Sequence, residues 1–161
     1  MKKVLLLLVT AVIIFTGCSK DEELSKTELL CNADWTLNAW TVTYTYGGIT
    51  NTVDIYNNPG LMGIPDCILD DYINFDIDKT YSTKPGINQC NGAWFGSGDW
   101  TFKANEAVLS ITRYGEALPT DYNIVTLNEG AFSISTIQSI ELIVGDKIVI
   151  EDGTFVLSFV H

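Results

Sequence analysis

Histidine and basic side chains are scarce in this chain of 161 residues. The single histidine, His161, is the last residue, so neither Ser-His-Asp or Cys-His catalysis nor a His-ligated zinc site is expected. Lysine and arginine total 9 against 20 acidic residues, which gives a net charge of −11. This excess of acid argues against nucleic-acid binding and against electrostatic docking on anionic lipid. Arg113 is the only arginine that could bind an anion in a bidentate manner.

The chain also lacks an apolar run of the roughly 20 residues that a membrane-spanning helix needs. Its longest such run, residues 4–14, follows Lys2 and Lys3 and has the length of a signal-peptide core. Phe15-Thr16-Gly17-Cys18 comes next and resembles the lipobox of bacterial lipoproteins. The resemblance implies cleavage after residue 17 and acylation of Cys18. Several acyl chains give a stable membrane anchor, because each buried CH₂ contributes about 0.8 kcal/mol. The alternative is a soluble secreted protein.

The segment after Cys18, Ser19-Lys20-Asp21-Glu22-Glu23, resembles the Lys-acidic-acidic export tag of Bacteroidetes-type lipoproteins. That resemblance implies display on the outer face of the outer membrane. The alternative interpretation is a solvated charged tether. Without the leader, seven basic side chains would face 20 acidic ones, a formal charge of −13.

Beyond the tether the sequence predicts an all-β domain with one short helix. Ser25 and Glu28 have capping-box spacing, which predicts a helix within residues 24–33. Eight to ten short strands with tight turns between them then indicate an antiparallel meander that closes on itself. Asp152-Gly153 has the composition of a hairpin turn and predicts a break between strands over residues 147–150 and 155–160.

The first predicted strand changes phase along its length. Trp35 and Leu37 alternate in one phase, whereas Trp40, Val42, Tyr44 and Tyr46 alternate in the other. A regular strand would send one of these sets into water, so a bulge is expected near Asn38-Ala39. A long strand bent in this way suits the wall of a barrel.

These elements together resemble a known family. Trp35-x-Leu37, Cys67-x-x-Asp70-Asp71, Asp78-Lys79-Thr80-Tyr81, Cys90 and Gly98-x-Trp100 are similar in order to motifs of the lipocalin-like lipoprotein domains of Bacteroidetes-type bacteria. The resemblance covers most of the mature chain and implies a lipocalin-like antiparallel barrel without a catalytic role. We therefore expect a signal peptide over 1–17, a lipidated tether over 18–28 and a lipocalin-like barrel over 29–161.

Three cysteines remain once Cys18 is assigned to the anchor. Cys31, Cys67 and Cys90 would lie in an oxidising compartment, and the sequence alone allows three pairings. The family resemblance, together with the way Cys67 and Cys90 flank one predicted hairpin, favours a disulfide between those two.

Aromatic side chains have two interpretations in such a barrel. They could line a cavity for a ligand or, as interiors are close-packed, they could fill the core, which is the favoured interpretation. If a ligand binds, Trp40, Tyr44, Tyr46, Trp100 and Tyr122 are the expected contacts. Trp94 and Phe102 belong to the same aromatic set.

Acidic side chains cluster between residues 66 and 78. A solvated acidic rim is favoured, with a calcium site left open; the cluster comprises Asp66, Asp70, Asp71, Asp76 and Asp78. Asp76-Ile77-Asp78-Lys79-Thr80 matches a phosphatase nucleophile motif, but that chemistry needs an α/β sheet and a polar hairpin turn is favoured. Neither a metal nor another cofactor is expected.

The sequence therefore predicts a non-catalytic, surface-exposed outer-membrane lipoprotein. Its partners would be the membrane, through the lipid anchor, and a small apolar or amphipathic ligand or a glycan. The alternative is a structural or interaction lipoprotein with a filled barrel, which contacts a protein or glycan through loops such as residues 57–65.

Overall fold

The computed structural model describes residues 23–62, 64–89 and 95–161. It begins with helix α1 (Lys26–Cys31), followed by β1 (Asp34–Tyr46), β2 (Ile49–Asp54), β3 (Tyr72–Phe75), β4 (Thr80–Lys84), β5 (Ser97–Lys103), β6 (Val108–Arg113), β7 (Thr120–Leu127), β8 (Ala131–Val144) and β9 (Lys147–Val160). Two 3₁₀ turns, Pro59–Met62 and Asp66–Ile68, lie between β2 and β3. Among the described residues, no helix is both long and apolar enough to span a bilayer.

The strands form one antiparallel sheet that closes into a barrel, as predicted. Their order is β2-β1-β3-β4-β5-β6-β7-β8-β9, and β1 also pairs with β9. Two strands pair with the same edge of β1: β3 pairs with Asp34 to Thr36, and β2 pairs with Thr41 to Tyr46. The closed barrel is therefore made of β1 and β3 to β9, with β2 as an extra strand at one end. Closure removes most of the exposed sheet edge.

One end of the barrel, the foot, is covered by α1. The Ser25 hydroxyl accepts a hydrogen bond from the Glu28 amide, and the Glu28 carboxylate accepts one from the Ser25 amide, so the predicted capping box is confirmed. The helix packs against β3 and β7. The indole Nε1 of Trp35 donates a hydrogen bond of 2.8 Å to the carbonyl of Leu30, which ties the first strand to the helix.

The predicted bulge in the first strand is confirmed. The pairing of β1 with β9 shifts between Leu37 and Ala39, so Asn38 is the extra residue. Asn38 is exposed, while Trp35 and Leu37 before the bulge and Trp40 and Val42 after it are all buried. One additional residue thus brings both phases of the strand to the barrel interior.

The predicted turn at Asp152-Gly153 is wrong, because these residues continue β9. Gly153 pairs with Tyr44 on one side and with Gln138 on the other. A Cβ on Gly153 would come within 2.9 Å of Val42 Cγ2, so glycine serves close packing here and not chain reversal. Residues 131–144 likewise form one long strand, β8.

β8 and β9 are longer than their neighbours and rise beyond the barrel. They pair from Ala131↔Val160 to Val144↔Lys147, whereas β7 reaches β8 only as far as Ser135 and β1 reaches β9 only as far as Gly153. Residues 136–152 therefore form a two-stranded segment, here called the ribbon. The ribbon stands at the end opposite α1, which we call the mouth.

Candidate functional site

An open cavity of about 670 Å³ lies at the mouth of the barrel. This volume falls within the range of roughly 300–1,000 Å³ that is typical of small-molecule sites. The cavity is bounded by inner-phase side chains of the barrel wall, by the base of the ribbon and by Ile64 of the connection after β2.

The two strands that close the barrel supply the apolar wall. Trp40, Val42 and Tyr44 follow one another on the inner phase of β1 after the bulge. Phe155 and Leu157 lie on the inner phase of the adjoining strand, β9, where Phe155 is paired with Val42 and Leu157 with Trp40. The bulge at residue 38 therefore decides which side chains of β1 reach the cavity.

The ribbon forms a second side of the cavity. Ile140 and Leu142 continue the inner phase that Phe132 and Ile134 occupy lower in β8. Ile140 is buried, and Leu142 packs against the core. The same two side chains border the cavity together with the polar Thr136 and Gln138. The opening thus has an apolar surface and a polar margin, the composition expected of a ligand site.

The third side combines aromatic rings with a guanidinium group. Arg113, Phe95 and Tyr122 border the cavity. The Arg113 guanidinium lies 5.6 Å from the centre of the Phe95 ring, which stacks obliquely on Tyr122 at 6.1 Å and meets Tyr81 edge to face at 6.3 Å. The hydroxyl of Tyr81 donates a hydrogen bond of 3.0 Å to the carbonyl of Phe95. This arrangement holds Phe95 in place beside the positive charge.

Burial makes the two phenols at this side harder to ionise. It raises the pKa of Tyr81 to about 12, and the positive charge of Arg113 opposes that rise. Burial also raises the pKa of Tyr122, again against the influence of Arg113. Neither phenol is therefore suited to act as a base near neutral pH.

Three of the five residues predicted to contact a ligand border the cavity: Trp40, Tyr44 and Tyr122. Tyr46 lies at the end of β1 and is partly exposed. Trp100 lies below the cavity, where its indole donates a hydrogen bond to the carbonyl of Asp76 and the Lys79 ammonium sits 3.9 Å above its ring. Neither residue borders the cavity.

Side chains fill the core at the foot of the barrel, which is the interpretation that the sequence favoured. Trp35, Phe75, Phe132 and Phe159 are almost fully buried and contact one another with ring centres 5.3–6.0 Å apart. Trp100 joins this group through Phe75 at 5.9 Å. The aromatic side chains near the mouth surround a cavity instead, so the two interpretations apply to different halves of one barrel.

Three of the five acidic residues of the 66–78 region hold turns together. The carboxylate of Asp70 accepts hydrogen bonds from Asn88, Asp71 accepts one from the amide of Gly86, and Asp78 accepts two from Thr80. Within the described ranges, no group of three or more His, Cys, Asp or Glu side chains is placed to share a metal ion.

The cysteines are only partly described. Cys31 is a free thiol whose pKa is raised by burial, whereas Cys67 is not a free thiol. Cys90 lies outside the described residues, as do Trp94 and Cys18. The Cys67–Cys90 disulfide and the lipidation of Cys18 therefore stay predictions.

The sequence missed most of the apolar lining and the position of Arg113. Ile140, Leu142, Phe155 and Leu157 follow the alternation of β8 and β9, but the false turn at Gly153 concealed that these strands are long. Arg113 follows Leu109 and Ile111 in one alternating phase, a signal that was available in the sequence. No protein-family model matches the chain, and no curated protein matches it at a significant level.

Proposed function

We propose that the protein binds a small apolar or amphipathic molecule in the mouth of its barrel and has no catalytic role. The open cavity of about 670 Å³ carries this proposal. A barrel of eight strands can be filled by side chains or can hold one small ligand, and an unfilled half favours the second use. The apolar wall of Trp40, Val42 and Phe155 suits a hydrocarbon surface.

We further propose that the barrel is displayed on the outer face of the outer membrane by an acylated Cys18. The lipobox-like Phe15-Thr16-Gly17-Cys18 and the acidic segment after it support this location, as does the resemblance to lipocalin-like lipoproteins. α1 covers the foot, and the mouth is at the other end of the barrel. An anchored chain entering at the foot would leave the mouth facing away from its attachment point.

A neutral fluorescent probe tests the binding function. N-phenyl-1-naphthylamine has no charge, so its binding to the protein depends on apolar contact and not on an ion pair. The purified full chain would be held on lipid nanodiscs, with protein-free nanodiscs as the reference. Because the probe also partitions into the bilayer, only the tryptophan-excited emission that exceeds that of the protein-free nanodiscs is assigned to probe bound to the protein. We expect a saturable signal with one probe per chain.

A pair of substitutions on the same hairpin locates that signal. Thr136 lies on the inner phase of β8 and borders the cavity, while Thr154 lies on the outer phase of β9 and is exposed. Thr136→Trp should fill the cavity and abolish saturable binding, whereas Thr154→Trp should leave it unchanged. Equal binding by both variants, or no saturable binding by the unmodified protein, would refute a ligand site in the mouth.

The outer face of the ribbon favours a second candidate function, contact with a protein or a glycan. Its cross-strand neighbours Ile143 and Ile148 are 82% and 66% exposed, and Ile137 and Ile150 are exposed on the same face. Exposed apolar residues that adjoin on one surface often mark a contact site. Ile143→Lys would weaken such a contact without altering probe binding in the cavity, which separates the two functions.

A further inference from the structure

The only arginine of the chain points into the barrel. Leu109 and Ile111 precede Arg113 at alternate positions of β6, and both are buried in the interior. Alternate residues of a strand face the same side, so Arg113 shares their inward phase. The residue paired with it across the sheet is Gly98, where a Cβ would clash with the carbonyl oxygen of Thr112.

The guanidinium at this apolar cavity has a weak anionic partner. Within the described chain, the ion pair of Arg113 is with Glu116 at 3.8 Å, and the side chains of both residues are about two-fifths exposed. An exposed pair at this distance is weak. Five N–H donors in a planar fork leave Arg113 capable of binding a second carboxylate in a bidentate manner.

The surroundings of Arg113 favour such a partner on the cavity side. The faces of Phe95 and the neutral phenol of Tyr122 lie next to the guanidinium, and neither supplies negative charge. Glu141 also borders the cavity, but it lies on the opposite phase of the ribbon and is exposed to water. The inward-facing charge at the mouth is therefore positive, in a protein that is acidic elsewhere.

We propose that the cavity takes an amphipathic ligand with a single apolar tail and a carboxylate headgroup, and that Arg113 pairs with that headgroup. The tail would lie against Trp40, Val42 and Phe155, and the carboxylate would sit at the mouth within reach of water. This inference rests on the proposed binding function and adds that the site selects a ligand with a negatively charged headgroup.

Three ligands with the same ten-carbon tail test the headgroup. Decanoate, 1-decanol and decyltrimethylammonium would each displace N-phenyl-1-naphthylamine from the full chain on nanodiscs near neutral pH, where the carboxylate is ionised. A bidentate charged pair should make decanoate bind about tenfold more tightly than decanol. The cationic ligand should bind most weakly, because it would face the guanidinium.

Variants then assign the preference to Arg113. Arg113→Gln should weaken decanoate binding about tenfold and leave decanol binding unchanged. Lys103→Gln is the matched control, because it removes one positive charge from an ion pair with Asp121 that lies away from the cavity. That control should retain the preference for decanoate. Glu116→Gln should tighten decanoate binding, since it removes the carboxylate that shares the guanidinium.

Several outcomes would overturn the proposal. Equal binding of decanol and decanoate by the unmodified protein would do so while leaving the apolar site intact, as would preference for the cation. Equal loss of both ligands in Arg113→Gln would mean that the arginine only shapes the cavity. If none of the three ligands displaces the probe, the headgroup inference fails; if the probe itself does not bind, the proposed function fails. Should Arg113→Gln not fold, the comparison of headgroups in the unmodified protein decides alone.

Discussion

Trp35 should be essential for stability and dispensable for ligand binding. Its side chain is fully buried at the foot, where the ring contacts Phe132 with centres 5.5 Å apart and His161 at 5.4 Å. Its indole also satisfies the carbonyl of Leu30. The residue does not border the cavity, which begins above the bulge at Asn38. Replacement should therefore act on the free energy of unfolding and not on the site.

The size of the effect follows from burial and from the hydrogen bond. Removing a buried tryptophan side chain costs about 3–5 kcal/mol, because the neighbours cannot close the cavity that it leaves. Trp35→Phe keeps most of the ring but leaves the Leu30 carbonyl without its donor, which costs about 1–3 kcal/mol. Since domains have only about 5–15 kcal/mol of stability, Trp35→Ala should shift the urea midpoint markedly.

Urea unfolding followed by circular dichroism measures this, since loss of a tryptophan does not affect the backbone signal. Tyr114→Ala is the control: the side chain is 65% exposed, and its removal should change the free energy by less than about 0.5 kcal/mol. Binding of N-phenyl-1-naphthylamine without urea should be the same in all folded variants. A cost below about 1 kcal/mol for Trp35→Ala, or weaker probe binding at unchanged stability, would refute this account of the foot.

Three further predictions concern the anchor, the cysteines and pH. Cys18→Ser should move the protein from the membrane fraction to the soluble fraction; complete retention with the outer membrane would rule out a lipid anchor. Cys67→Ser should lower the free energy of unfolding by roughly 3 kcal/mol if a disulfide closes this region, and a non-reduced peptide map should show Cys67 joined to Cys90; a map joining Cys67 to another cysteine would contradict the pairing. Burial raises the pKa of Tyr81 to about 12, so the unfolded chain loses the phenol proton at a lower pH than the folded protein does. The contribution of neutral Tyr81 to the free energy of unfolding should therefore be fully present below about pH 10 and should be lost as the pH rises towards 12. Tyr81→Phe should flatten that fall, and an equally steep decline in the variant would assign it to other groups.

The sequence predicted features that depend on local alternation. The switch of phase between Leu37 and Trp40 required a bulge, and the pairing of β1 with β9 shifts at that point. Ser25 and Glu28 specify the helix start through bonds that span three residues. Turn residues between short alternating segments were sufficient to indicate an antiparallel barrel. In each case the determining interactions lie within a few residues of one another.

Features that depend on distant neighbours were not predicted. Asp152-Gly153 has the composition of a turn, but Val42 and Ile140 approach Gly153 so closely that only glycine fits within the strand. The length of β8 was hidden for a related reason. The ribbon leaves the barrel, so its outer face carries exposed isoleucines such as Ile137 among polar residues and does not alternate cleanly.

The candidate site was half predictable for the same reason. Trp40 and Tyr44 could be expected to contact a ligand because the bulge fixes the phase of β1 and turns both side chains inward. Trp100 could not be assigned to the foot, because its depth depends on pairing with Ile111 and on contact with Phe75. Composition alone cannot tell how far along the barrel axis a side chain lies.

The two ends of the barrel are filled differently along that axis. At the foot, the inner phase carries large rings such as Trp35, Phe75 and Phe132, which fill the width of the barrel. Towards the mouth, glycine takes inner-phase positions on two strands: Gly98 comes two residues before Trp100, and Gly153 comes two residues before Phe155. Neither glycine leaves empty space, because a Cβ on Gly98 would meet the carbonyl oxygen of Thr112 and one on Gly153 would meet Val42 and Ile140. The cavity lies among wall side chains such as Trp40 and Phe155, and the long ribbon partly covers it with Ile140 and Leu142. The proposed binding site and the stabilising core therefore lie at opposite ends of one continuous sheet.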